Sequence, residues 1–138
     1  LGADHDHGTE FTAVATKTLA DIWKRPIIIS AGLRNGDAIH TGFLGFAGGR
    51  RTTFEGSIIV FLTDRLAFAT EYRHKSDLVH QCTVGGEHLV RAENDWWDLC
   101  LAYVINDHMT ISGGYADFGN VLNHRESNVW AAQLKYEF

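Results

Sequence analysis

Apolar residues recur at every second position through seven stretches of this chain, roughly 10–20, 26–35, 53–62, 65–74, 95–105, 108–118 and 128–138. A period of two is the pattern of a strand whose two faces differ. The last stretch, "WAAQLKYEF" (130–138), shows it plainly: Trp130, Ala132, Leu134, Tyr136 and Phe138 alternate with Ala131, Gln133, Lys135 and Glu137. In the second stretch Ile27, Ile29, Ala31 and Leu33 oppose Ser30, Gly32 and Arg34. In the fifth, Trp97, Leu99, Leu101, Tyr103 and Ile105 oppose Asp98, Cys100 and Ala102. The first stretch, "FTAVATKTL", is the weakest, because Lys17 interrupts its apolar face.

The connections alternate in length. "TDR" (63–65) and "NDH" (106–108) are tight turns, and "ADIWKRP" (20–26) is a modest one. Residues 35–52, 74–94 and 118–127 are long, polar and rich in Gly, His, Arg and Asn. Short turns at one end and long loops at the other are the layout of an outer-membrane barrel. The expected fold is therefore all-β: an antiparallel, transmembrane, up-and-down β-barrel with about seven strands here, part of a larger barrel. The polar faces carry Arg34, Glu55, Glu71, Arg73, Asp98 and Lys135, charges that suit a wet lumen. They either line a pore or pair with one another and plug it. Tyr72, Trp97, Tyr103 and Tyr115 fall near strand ends, as the aromatic girdles of such a barrel do.

Strand parity sharpens the picture. Hairpin-joined strands reverse direction each time, so the first and seventh run the same way and cannot close an all-antiparallel barrel. Single-chain bacterial barrels have even strand numbers. The expectation is that further strands lie upstream or come from other chains. The lack of a signal peptide at Leu1 agrees with a mature form, a fragment or a part of something longer.

Composition narrows the classes. The 138 residues suffice for one domain, and a net charge of −5 gives no reason to expect nucleic acid. No run of about 18 apolar residues exists, which excludes a transmembrane helix. Chemistry-bearing motifs are sparse. His5 and His7 in "DHDH" point the same way in an extended segment and are weak metal candidates, as are His74, His80 and His88. Cys82 and Cys100 are candidates for a loop-to-wall disulfide. Ser57, Thr110, Ser112 and His108 lack a nucleophile elbow, and "GFAGGRR" (45–51) lacks the P-loop pattern. No enzyme activity and no cofactor are expected.

Five blocks carry a family resemblance: "LGADHDHGTEFTAVATKTL" (1–19), "GFLGFAGG" (42–49), "FEGSIIVFLTDRLAFATEYRHKSD" (54–77), "ENDWWDLCLAYVINDHMTISGGYADFGN" (93–120) and the final "WAAQLKYEF". In order and spacing they resemble the C-terminal half of a proteobacterial family of outer-membrane β-barrel proteins of unknown function. The chain departs from that pattern in a longer, His-rich stretch between "EYR" and "DWW". The resemblance implies the outer membrane of a Gram-negative bacterium, lipid as surroundings, and no established reaction. The C-terminal strand, through Trp130, Leu134, Tyr136 and Phe138, resembles the signal read by the barrel-assembly machinery, which pairs with a last strand by β-augmentation. The expected function is a porin-like channel or passive pore for small solutes. The alternative is a non-conducting structural or docking barrel that anchors an envelope assembly, with other envelope proteins as partners, through its long loops. A small soluble β-barrel is a third reading.

Overall fold

The seven alternating stretches become the seven strands of one antiparallel sheet. A computed structural model describes residues 9–22, 25–37, 50–75, 83–88, 91–92, 94–121 and 123–138. In chain order the strands are β1 (Glu10–Ile22), β2 (Arg25–Asp37), β3 (Arg50–Phe61), β4 (Leu66–Arg73), β5 (Thr83–Val84), β6 (Glu87–His88), β7 (Trp96–Asn106), β8 (Met109–Asp117), β9 (Gly119–Val121), β10 (His124–Glu126) and β11 (Val129–Tyr136). The main sheet has the order β1-β2-β3-β4-β7-β8-β11 and is not closed. Among the described residues there is no helix.

Local chemistry fixes the tight turns. After β3, Thr63 Oγ1 accepts from the amides of Arg65 (3.2 Å) and Leu66 (2.9 Å), reversing the chain in a side-chain-stabilised turn. After β7, Asn106 Oδ1 accepts from the His108 amide at 2.9 Å and does the same. β1 and β2 run further toward each other than the sequence pattern suggests, leaving only residues 23–24 between them. The segments 74–94 and 118–127, expected as long polar loops, each carry a two-stranded hairpin, β5–β6 and β9–β10. Pieces of two or three residues are too short to show a period.

The pairing registers put every strand's apolar set on one face. Ile29 pairs with Ile58, Leu33 with Phe54, Tyr72 with Trp97, and Tyr103 with Ile111. The opposite face brings Arg34 to Glu10 and Glu55, pairs Glu55 with Arg73, and sets Glu71 against Asp98. The solvent exposure is the reverse of a water-soluble sheet. Along β7, Trp97, Leu99, Leu101 and Tyr103 are exposed, while Trp96, Asp98, Cys100 and Ala102 between them are half-buried. Within the strands, every exposed large apolar side chain except Val14 and Val104 projects from the apolar face. Leu33, Ile58 and Leu101 lie on interior strands, yet keep 55%, 41% and 49% of their surface open.

Candidate functional site

On the polar face, Arg34 is the hub of an ion network. Its Nη1 donates to Glu10 Oε1 at 3.0 Å and its Nη2 to Glu55 Oε2 at 3.4 Å. Gly32 makes room for this: a Cβ there would come within 2.9 Å of Glu55 Cγ. Two strands on, Glu71 stands directly opposite Asp98. Like charges in that position repel, and neither has an ion-pair partner among the described residues. Glu55, Glu71 and Asp98, with Ser57, Arg73 and Trp96, line an open cleft of about 430 Å³. Trp96 is stacked by cations: Lys75 Nζ lies 4.2 Å and Arg73 Cζ 6.0 Å from its ring centroid, and Phe118 meets it edge-on at 5.2 Å. The tandem tryptophans therefore split, Trp96 to the polar face and Trp97 to the apolar one. Near the turns the polar face changes character, with Ile28, Ile59 and Phe61 half-buried on it.

All six charges expected on one face, Arg34, Glu55, Glu71, Arg73, Asp98 and Lys135, share it. Lys135 reaches Glu137 at 2.5 Å, away from the cleft. Cys100 is a free thiol on the same face, between Ala69 and Gly114. Cys82, the other half of the expected disulfide, lies outside the described residues, as do His5, His7 and His80. Among the described residues no group of three His, Cys, Asp or Glu side chains is placed to hold a metal ion.

The apolar face carries a belt of aromatic rings. Phe54 meets Tyr72 with centroids 6.4 Å apart, Trp97 meets Tyr115 at 5.3 Å, and Tyr115 meets Trp130 at 5.2 Å. Tyr72 and Trp97 are direct cross-strand partners and join the two halves. The belt is oblique to the hydrogen-bonding direction. Followed through the registers, Phe11 on β1, Phe54 on β3, Trp97 on β7 and Trp130 on β11 each lie two residues nearer the short turns than the one before. That is one residue per strand. At about 3.3 Å per residue and about 4.8 Å between strands, the line leans by about 35°.

A second line runs parallel to the first, six residues nearer the turns: Lys17 on β1, Val60 on β3, Tyr103 on β7 and Tyr136 on β11. Tyr136 packs edge-on against Phe138 at 5.1 Å. Of the residues expected in the C-terminal signal, Trp130 thus sits in the first belt, Tyr136 in the second line, and Leu134 between them. Between the lines the apolar face holds no charged side chain among the described residues. Its one hydroxyl there, Thr70, donates to the Asp98 carbonyl at 2.7 Å. Beyond the first belt the face turns polar at once, with Asn35, Thr52, Asp95 and Asp117.

Asp95 ties this rim together. It accepts from Tyr72 Oη at 2.5 Å and from the Lys75 amide at 3.0 Å, and it meets His74 Nδ1 at 2.8 Å. Desolvation alone would raise its carboxyl pKa, but the hydrogen bonds from Tyr72 and the Lys75 amide and the charge of His74 outweigh it, so the pKa falls below the ordinary value.

The fold and its two faces thus define an all-β protein built on one amphipathic, antiparallel sheet. Over residues 1–134 the chain matches a family described as protein of unknown function (DUF3034), and it belongs to that family. No curated protein matches it, and no solved structure matches it.

Proposed function

We propose that this chain forms a large part of the wall of a transmembrane β-barrel in the outer membrane of a Gram-negative bacterium. The apolar face meets lipid and the polar face lines a water-filled path for small hydrophilic solutes. One observation carries this reading: the sheet exposes its apolar face and shields its polar one, within two parallel lines that suit a tilted wall. Fully burying a large apolar side chain is worth about 1.5–3 kcal/mol. Leaving a whole face of them in water would forfeit more than the roughly 5–15 kcal/mol by which folded domains are stable. The belt's lean of about 35° agrees with the strand tilt of roughly 35–45° in such barrels, so a belt level with the membrane plane must cross the strands at that angle. The interval of six residues, about 20 Å along a strand, is of the order of the apolar band they present.

The polar face favours a path over a plug. Much of it is small, with Thr12, Thr16, Ser30, Gly32, Ser57, Ala69, Ala102, Ser112 and Gly114 between the charges. Closure requires more than this sheet, because β1 and β11 run in the same direction. An odd number of further antiparallel strands between these edges restores an even total. The free edge of β11 is suited to the strand pairing by which the assembly machinery would recognise it.

The test is extraction followed by conductance. Resistance to alkaline carbonate and single-channel steps across a planar bilayer are the expected results. Release by carbonate would contradict the membrane reading. Membrane retention without conductance would contradict the open path and favour the docking barrel.

A further inference from the structure

We propose that a polar pocket just loopward of Trp97 binds the net-anionic phosphate headgroup of a membrane lipid whose acyl chains lie along the apolar face below it. The pocket has a volume of about 650 Å³, and Arg91, Asn94, Asn120, Asn123 and Arg125 line it above Trp97. Its place follows from the register. Asp117 pairs with Trp97, and Trp97 belongs to the aromatic belt. The pocket therefore opens where the apolar face ends, the level of lipid headgroups if the belt marks the membrane boundary. The inference rests on the membrane reading above.

The walls are held by hydrogen bonds that leave the guanidinium groups uncommitted. Asn123 Oδ1 accepts from the Arg91 amide at 2.7 Å. Asn120 Nδ2 donates to the carbonyls of Arg91 (3.1 Å) and Ala92 (3.0 Å), and the Asn120 amide donates to Asn94 Oδ1 at 3.1 Å. These bonds lash the segment before β7 to the β9–β10 hairpin. Arg91 and Arg125 side chains have no ion-pair partner among the described residues. The two acidic residues at the pocket are each held by hydrogen bonds, not by the arginines. Asp95 holds Tyr72, His74 and the Lys75 amide, and Asp117 Oδ1 accepts from the Gly119 amide at 2.7 Å. Two guanidiniums with no ion-pair partner among the described residues match a phosphate group, which arginine binds with paired N–H donors. The tryptophan beneath supplies the surface for the adjoining glycerol or sugar and the first methylenes.

The experiment uses the protein in phosphatidylcholine bilayers that carry a small fraction of lipid brominated near the headgroup, and reads quenching of tryptophan fluorescence. Brominated phosphatidic acid is expected to quench at about a tenfold lower mole fraction than brominated phosphatidylcholine. The double variant Arg91→Gln/Arg125→Gln is expected to lose that preference while its quenching by brominated phosphatidylcholine stays unchanged, which shows that it is still inserted. Excess inorganic phosphate is expected not to compete. Equal quenching of the wild type by both lipids, or a preference that survives in the variant, would overturn the headgroup site alone. Competition by inorganic phosphate would replace it with a site for free anions. No quenching by either lipid would instead overturn the membrane reading on which it rests.

Discussion

Lys17 and Tyr103 lie on one oblique line across the apolar face. Each lies six residues turnward of an aromatic residue of the first belt, Phe11 on β1 for Lys17 and Trp97 on β7 for Tyr103. A lysine that breaks the sequence pattern of its strand thereby shares a line with Val60, Tyr103 and Tyr136 and lies outside the stretch between the two lines. There its methylenes can lie along apolar surface while the ammonium reaches water.

The position of a charge, not its mere presence, should then decide its cost. Leu101→Arg puts a cation between the two lines and is expected to destabilise the protein by about 2–4 kcal/mol in lipid. Val60→Arg, on the second line, should cost less than about 1 kcal/mol. Reversible urea unfolding in lipid vesicles measures both. Equal costs at the two positions would show that the lines are not membrane boundaries.

The Arg34 hub is expected to be coupled. Arg34→Met leaves Glu10 and Glu55 close together without their cation, at an expected cost of about 1 kcal/mol, since all three side chains retain some solvent contact. A double-mutant cycle with Glu10→Gln should recover part of that loss. Full additivity would mean that the pair contributes nothing.

Asp95 sets a pH dependence with a definite sign. Its folded pKa is lowered, so its contribution is fully present above the unfolded value, near pH 4, and is lost as the pH falls through the lower folded value. The wild type should therefore exceed Asp95→Asn in unfolding midpoint at neutral pH, and the gap should close below about pH 4. A gap that persists unchanged into strong acid would exclude the carboxylate as its source.

Gly119 is required on two grounds. Its φ is +58°, and a Cβ there would come within 2.3 Å of Asn94 Cβ. Gly119→Ala is expected to cost at least about 1 kcal/mol and to loosen the contact between β9 and the segment before β7. Hydrogen exchange at the Asn120 amide, which donates to Asn94, should rise selectively. Unaltered protection there would show that the contact does not depend on the glycine.

Much of the sheet was legible in the sequence because burial of one face imposes a period of two. Trp97 to Tyr103 carries that period, as does Ile27 to Leu33 apart from Ile28, and both lie within the expected strands. The charged side of the sheet was legible for the same reason: Arg34, Glu55, Glu71, Arg73, Asp98 and Lys135 share the opposite parity. What was not legible depends on register between strands. Nothing local marks Phe11 and Trp130 as ends of one line, or Lys17 and Tyr103 as members of another, since those relations arise only when seven registers are fixed together. The opposite faces of Trp96 and Trp97 follow from the alternation itself, although a tandem of tryptophans reads as one apolar unit. The Arg91–Arg125 pocket draws on a short hairpin and an irregular segment, where periodicity has no purchase.

The most direct test is a nitroxide scan, on a background with Cys82 and Cys100 replaced by serine, comparing collision with molecular oxygen and with a water-soluble nickel chelate. Labels at Leu99, Leu101, Ile111 and Leu134 are expected to meet oxygen and exclude the chelate. Labels at Asp98, Ala102 and Ser112 are expected to do the reverse. If labels on the apolar face met the chelate as readily as those on the polar face, that face would be in water or against protein, and the lipid-facing wall would be contradicted.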